Sequence, residues 1–285
     1  MNKATTSVKD FTIQFWGVRG KIATPGKETI RYGGNTSCLE IGVGGKCLIF
    51  DGGTGLRELG NHLLKRMPVE AHMFFTHCHW DRIQGFPFFV PAFIPGNCFH
   101  IYGGEASNGS SFQQRLSSQM LGPSFPVPMS VMQSELKFNQ LVIGEKQCLG
   151  GVTIDTEFLN YKHRSIGYRV SCQGKSVVYA TDTEKCSAHL HKNLLNLAKD
   201  ADVLILDAPD PEDVKDANQL SSDWSKAFWQ TSIETAKVAG VKRIVMSTHN
   251  PDHDDQFLEQ LEGQVQSEFP NTCLAREGMI VSLGS

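Results

Sequence analysis

A chain of 285 residues with 40% hydrophobic and 20% charged side chains has the composition of a folded protein with a sizeable core, which excludes a disordered or fibrous chain. Its formal net charge of −3 excludes a broadly basic surface for nonspecific nucleic-acid binding, while leaving a specific nucleic-acid or nucleotide substrate open. No run approaches the ~18 apolar residues of a membrane span. Residues Met1–Trp16 hold no apolar stretch long enough for a signal peptide, so the expected setting is the cytoplasm, with the eight cysteines as free thiols.

In chain order, Phe11–Trp16, Thr36–Ile41, Lys46–Phe50 and Ala71–Phe75 read as strands. They are short, rich in β-branched or aromatic residues, and flanked by Gly or Pro. Gly55–Arg66 reads as a helix with Leu56, Leu59, Leu63 and Leu64 on one face. The Pro- and Phe-rich stretch from Gly85 to about Ser134 reads as a long insertion, either a lid over a pocket or a homodimer surface, with a core-covering excursion as the plain alternative. Then come strands Val152–Leu159, Gly167–Ser171 and Ser176–Thr181, helix His189–Lys199, and a strand at Val203–Asp207. Helix Ile233–Ala239, strand Arg243–Ser247 and helix Asp255–Phe269 follow, the last with Phe257, Leu261, Val265 and Phe269 four apart. This order suggests a single α/β domain over residues 1–285, with two sheets and helices outside them.

The strongest chemical signal is Thr76-His77-Cys78-His79-Trp80-Asp81-Arg82, directly after a buried strand. Two His at i and i+2 and a carboxylate at i+4 put three metal-binding side chains on one turn, and imidazole with carboxylate suits Zn²⁺ and similar ions. Cys78, between the two His, reads first as a small packing residue. Asp182 closes the strand at Val177–Thr181, and His249 closes another at Ile244–Thr248. Each of these two alone is an ordinary strand-end residue; together with the HxHxD turn they make a metal site the better reading.

These motifs, with FWGVRGKIATPG, RYGGNTSC, DGGTGLRELG, GYRV and YATDTE, resemble the metallo-β-lactamase superfamily. The similar branch contains RNase Z and phosphodiesterases acting on cyclic phosphates or cyclic nucleotides. The resemblance runs from about Phe11 to Asp255 and implies a four-layer αββα sandwich with a two-metal site. It implies His77, His79 and Asp182 as ligands of a first metal. Asp81, Asp182 and His249 are implied for a second, with Asp182 bridging. Two such ions activate water and stabilise both oxygens in phosphodiester hydrolysis.

Three departures fall on that site. The turn of the family continues to a His where this chain has Arg82, whose guanidinium has no free lone pair and opposes a second cation. Arg82 is left to pair with Asp81 or to clamp a substrate phosphate. The family's His before Gly167-Tyr168-Arg169 corresponds to Tyr161 here, a poorer ligand, with His163 on the same face able to replace it. At Asp223-Trp224-Ser225-Lys226, Lys226 stands where the family has a proton-transferring His, or else is a solvated Lys.

Asp51 is expected either to orient a ligand His or to cap its turn, and Asn35 either to contact phosphate or to stabilise its loop. The resulting expectation is one ion, Zn²⁺ or else Mn²⁺ or Fe, with the second weak or absent. It would be held by His77, His79 and Asp182, with Tyr161 or His163 completing the set. Asp81, Asp182 and His249 would serve catalysis, and Arg82, Tyr161, Lys226 and Asn35 would line a substrate site. The expected activity is hydrolysis of a cyclic nucleotide or other phosphodiester. The alternative is an inactive relative that binds a nucleotide, a phosphate or a protein partner as a sensor.

Overall fold

A computed structural model describes residues 11–106, 108–183, 188–208 and 233–284. Two seven-stranded sheets face each other. The first contains β1 (Thr12–Gly17), β2 (Cys38–Val43), β3 (Lys46–Phe50), β4 (Glu70–Phe74), β5 (Cys98–Gly103), β6 (Glu135–Gln140) and β14 (Ile280–Ser282), in the order β14-β1-β2-β3-β4-β5-β6. The second contains β7 (Gln147–Leu149), β8 (Val152–Asn160), β9 (Ser165–Cys172), β10 (Lys175–Ala180), β11 (Val203–Asp207), β12 (Ile244–Ser247) and β13 (Thr272–Leu274), in the order β13-β12-β11-β10-β9-β8-β7.

Helices close both outer faces. Leu56, Leu59 and Leu63 of α1 (Gly55–Leu63) pack on the first sheet together with Phe112 and Leu116 of α3 (Phe112–Ser118). Leu194 and Leu197 of α4 (Ala188–Ala198), Ile233 and Ala236 of α5 (233–238), and Leu258, Leu261 and Val265 of α6 (Asp255–Glu268) pack on the second. A third cluster fills the space between the sheets, with Phe50, Phe74, Tyr168, Tyr179 and Ile205 at its centre. The result is the αββα sandwich.

The strand signals follow from this layering. Covered on both faces, β4 and β12 are buried nearly throughout, whereas β1 alternates, burying Ile13 and Phe15. β3, β4, β5 and β6 run parallel, as do β10, β11, β12 and β13, so the C-terminal ends of several strands share one rim of the sandwich.

The stretch from Gly85 to Ser134 is not wholly an insertion. Its Cys98–Gly103 portion is β5, paired between β4 and β6 inside the first sheet, with Phe99 and Ile101 fully buried. The flanking Phe86, Phe89 and Ala92 are core residues as well. Among the described residues, no helix is long and apolar enough to cross a membrane.

Tyr168 ties the two sheets together near the shared rim. From β9 its buried hydroxyl donates 2.5 Å to the carbonyl of Phe75, the residue after β4. Tyr168→Phe removes the donor and leaves that carbonyl unpaired. The expected loss is ~1–2 kcal/mol in urea unfolding, with the dependence on urea concentration unchanged.

Candidate metal centre

The rim where β4 and β10 to β12 end holds a cavity of about 290 Å³. His77, His79, Asp81, Arg82, His163, Asp182, Asp207 and Thr248 line it. Asp182 lies just beyond β10, Asp207 is the last residue of β11, and Thr248 follows β12. Both Asp182 (φ 55°) and Thr248 (φ 59°) take left-handed backbone there, as does Asp51 (φ 59°) after β3. For Thr, a β-branched residue, that region is strained, and such strain is tolerated where surrounding contacts hold it.

His77, His79 and Asp182 each bring one ligand atom within 4.8 Å of the others'. Burial, the Arg82 charge and neighbouring His79 hold the His77 imidazole well below its usual pKa, so its ring is neutral at pH 7. Its tautomer follows from the hydrogen bonds. Thr76 Oγ1 lies 2.9 Å from Asp51 Oδ1 and 2.9 Å from His77 Nδ1. A hydroxyl has one proton, and the carboxylate takes it. Thr76 therefore accepts from His77 Nδ1–H, which leaves the Nε2 lone pair available to a metal. Asp51 also accepts from the Thr76 amide at 2.8 Å and the Tyr179 hydroxyl at 3.0 Å, so it orients the His77 ring through Thr76 and holds the start of the turn that carries it.

Of the two candidates to complete the set, only His163 lines the cavity. Its Nδ1 stands 3.0 Å from Asp182 Oδ2, and its ring meets His79 edge-on at 4.6 Å. Tyr161 is 51% exposed and packs on Phe158 instead. Their sequence face was read as shared, but Tyr161–Arg164 is a turn between β8 and β9, so the extended alternation does not apply.

Arg82 sits at the centre of the second group. It is 2% exposed. Its Nη1 lies 3.1 Å from Asp51 Oδ2, 3.0 Å from the Tyr179 hydroxyl and 3.3 Å from Thr181 Oγ1. Its Nε lies 3.3 Å from Asp81 Oδ2, and its Nη2 lies 3.7 Å from Asp207 Oδ1 and 3.4 Å from Thr248 Oγ1. Burial alone would lower the guanidinium pKa; Tyr179 and the carboxylates Asp81, Asp51 and Asp207 raise it well above its ordinary value. Of the roles open to Arg82, the structure shows the pairing with Asp81, extended to Asp51 and Asp207.

The helix carrying Arg82, α2 (Trp80–Ile83), is fitted tightly against the Asp51-Gly52-Gly53 turn. Gly52 donates 2.6 Å to the Arg82 carbonyl, and a Cβ on Gly85 would fall 1.9 Å from the Gly53 carbonyl oxygen. Only glycine permits that approach at position 85, and a Cβ on Gly53 would fall 2.4 Å from the Asp81 carbonyl oxygen, which explains the glycine after the HxHxD turn and the second glycine after Asp51.

His249 does not join the cavity. Thr248, in left-handed backbone just past β12, lines the cavity, while His249 turns inward, where Nε2–H donates 2.8 Å to the Ala275 carbonyl and the ring meets Tyr32 edge-on. Burial pushes its pKa down to about 3. Asn35 binds Glu277 through its side chain at 3.1 Å, and its carbonyl accepts from Val18 and Arg19, so it stabilises its loop outside the cavity. Cys78 packs against the first sheet's helical layer, and burial raises its thiol to about 11. Lys226 lies outside the described residues.

Asp207 was not singled out from the sequence, because a single Asp closing a buried strand has no motif around it. Burial raises its carboxyl to about 6, with the Arg82 charge opposing and Asp182 reinforcing the rise. Its Oδ2 accepts the Asp182 backbone N–H. The available signal was its place on β11 directly beside the strand ending in Asp182.

The donor set fits one ion and not two. His77, His79 and Asp182 present two imidazoles and a carboxylate, a set that holds Zn²⁺ with a position left open. The place of a second ion fails the same test. The carboxylates that would hold it surround a permanent guanidinium, and His249 faces elsewhere.

A model of the β-lactamase superfamily domain matches residues 47–249. The chain belongs to the metallo-β-lactamase superfamily. It is 32% identical over 113 residues to ribonuclease Z of Synechocystis sp., a match covering 39% of this chain and 32% of that enzyme. The chain thus spans about a third of the length of that relative. Its fold is similar to the metallo-β-lactamase fold protein YhfI from Bacillus subtilis, with a TM-score of 0.66, 16% identity, and 95% of this chain and 99% of that one covered. It is also similar to human tRNase Z, short form, with a TM-score of 0.63, 17% identity, and coverage of 96% and 100%.

Two outcomes are expected. Arg82→Met leaves Asp51, Asp81 and Asp207 buried without their cation and costs ~3–5 kcal/mol, read as a lowered urea midpoint. In the pH window between about 3 and 6.5, the unfolded chain binds a proton at His249 that the native chain does not. Stability therefore falls as pH drops through that window and is complete above it. Comparing His249→Gln with the parent isolates this component, which has a slope of up to about 1.4 kcal/mol per pH unit.

Proposed function

We propose that this chain is a metal-dependent hydrolase of the phosphodiesterase type, working with one ion at its centre, preferably Zn²⁺, where Arg82 occupies the place of a second. The observation that carries this reading is the convergence of His77, His79 and Asp182 on an open cavity beside a carboxylate group already neutralised by Arg82. When bound, the ion supplies a polarised water and charge stabilisation for a phosphoryl oxygen.

The chain's own residues do the rest. Asp51, through Thr76, holds the His77 ring in the tautomer a metal needs. Asp81, on the cavity wall and fixed by Arg82, is placed to orient the attacking water. Asp207, its carboxyl raised by burial to about 6, can hold or release a proton close to neutrality beside the Arg82 guanidinium. His163 secures Asp182 and stands ready as a further ligand.

The substrate class follows from the relatives and the cavity together. The similar ribonuclease Z cuts RNA, a phosphodiester. A cavity of about 290 Å³ and a net charge of −3 favour a small phosphodiester such as a cyclic nucleotide over a long polyanion. An inactive phosphate sensor built on Arg82 is the weaker reading, because the guanidinium is enclosed by carboxylates.

The decisive measurement pairs elemental analysis with a cyclic-nucleotide and aryl phosphodiester screen. His77→Ala and Asp182→Asn should each lower the metal content by one ion per chain and reduce turnover at least ~100-fold. Metal content indifferent to both substitutions, or a loaded protein that cleaves no phosphodiester, would remove the proposal and leave the sensor reading.

A further inference from the structure

A second donor cluster lies at the other end of β4. β4 and β5 are parallel, with Glu70 opposite Cys98 and His72 opposite His100. The two-residue period of a strand puts all four side chains on one face. Along that same face, Phe74 stacks on Tyr102 at 4.5 Å and 11°, and His72 stacks on His100 at 4.5 Å and 15°. The ladder thus runs from the core between the sheets outward to solvent, where the Glu70 side chain is 61% exposed. Only the His72 end is buried.

One ring nitrogen of each His and a carboxylate oxygen of Glu70 lie within 4.8 Å of one another. His100 Nε2 stands 3.0 Å from Glu70 Oε1 and 3.7 Å from Cys98 Sγ. His72 Nδ1 lies 3.3 Å from the Tyr102 hydroxyl, the kind of outer partner that fixes the orientation of a metal-binding imidazole. Burial pushes the His72 pKa down to about 4, so its ring keeps a lone pair at neutral pH.

We propose that Glu70, His72 and His100, with Cys98 beside them, form a second, non-catalytic site for Zn²⁺ that pins β4 to β5. Imidazole, carboxylate and thiolate are all zinc donors, and two imidazoles with a carboxylate are enough to hold the ion, with the thiol able to close the fourth position. Zinc at this position would take the place of the hydrogen bond between His100 Nε2 and Glu70, with the His100 ring proton carried on Nδ1. The site lies at the opposite end of β4 from the HxHxD turn and shares no residue with the cavity, so it does not depend on the reading of the metal centre. Its effect is mechanical: it anchors the strand whose far end carries the HxHxD turn.

The test removes the first site and asks what remains. His79→Ala with Asp182→Asn disables that centre; Asn tolerates the left-handed backbone at position 182. After dialysis with zinc, this double variant should keep one zinc per chain and melt about 5 °C higher with zinc than without it. Adding His100→Ala should abolish both effects, and adding Glu70→Gln, an exposed change that does not threaten folding, should weaken zinc at least about tenfold. Cobalt(II) in place of zinc should give a thiolate charge-transfer band that Cys98→Ser removes if Cys98 is a fourth ligand; a band-free cobalt site still bound through His100 gives the three-ligand form. A double variant that binds no zinc, or zinc indifferent to Glu70→Gln, overturns the proposal.

Discussion

The rim of this molecule is organised by one buried guanidinium. Arg82 comes from the turn after β4, in the first sheet, and reaches Tyr179, Thr181, Asp207 and Thr248 on the second. Through Asp51 it is tied back to the first sheet. Three carboxylates packed together at a dry edge would repel one another strongly; with the cation among them they become a brace between sheets. Tyr168, crossing from β9 to the Phe75 carbonyl, braces the same rim from the other side.

That brace also sets the electrostatics beside it. Asp51, Asp81 and Asp207 face the guanidinium, while Asp182 turns to His163 and His77. Negative charge is therefore left over where the imidazoles converge, and neutralised one step away. The Arg82 guanidinium supplies one permanent positive charge to these carboxylates, with no Lewis acidity and no exchangeable ligand.

The layered fold was legible because its central strands are covered on both faces. Hydrophobic runs such as Val203–Leu206 and Ile244–Met246 are what a parallel, doubly covered strand looks like. The peripheral strands were not. β6 and β7 expose many of their residues, and β13 and β14 have three residues each, too few to show a period. β5 was hidden differently, as a strand set between two Pro-rich pieces whose composition suggested a loop.

For the site, the sequence by itself singled out His77, His79 and Asp182, the three donors that converge on the cavity. The HxHxD turn and the strand-closing Asp182 are local features, fixed by neighbours within a few residues. What only the tertiary structure decided depends on which way a strand-end side chain turns and what meets it from another strand. His249 points inward while Thr248 takes the cavity side. His163 reaches Asp182 because Tyr161–Arg164 turns instead of running extended. Asp207 enters because β11 lies beside β10, a neighbourhood that no spacing along the chain encodes. The same holds for Glu70, His72 and His100, 28 residues apart in sequence at His72 and His100 and brought ring to ring only by the register of two parallel strands.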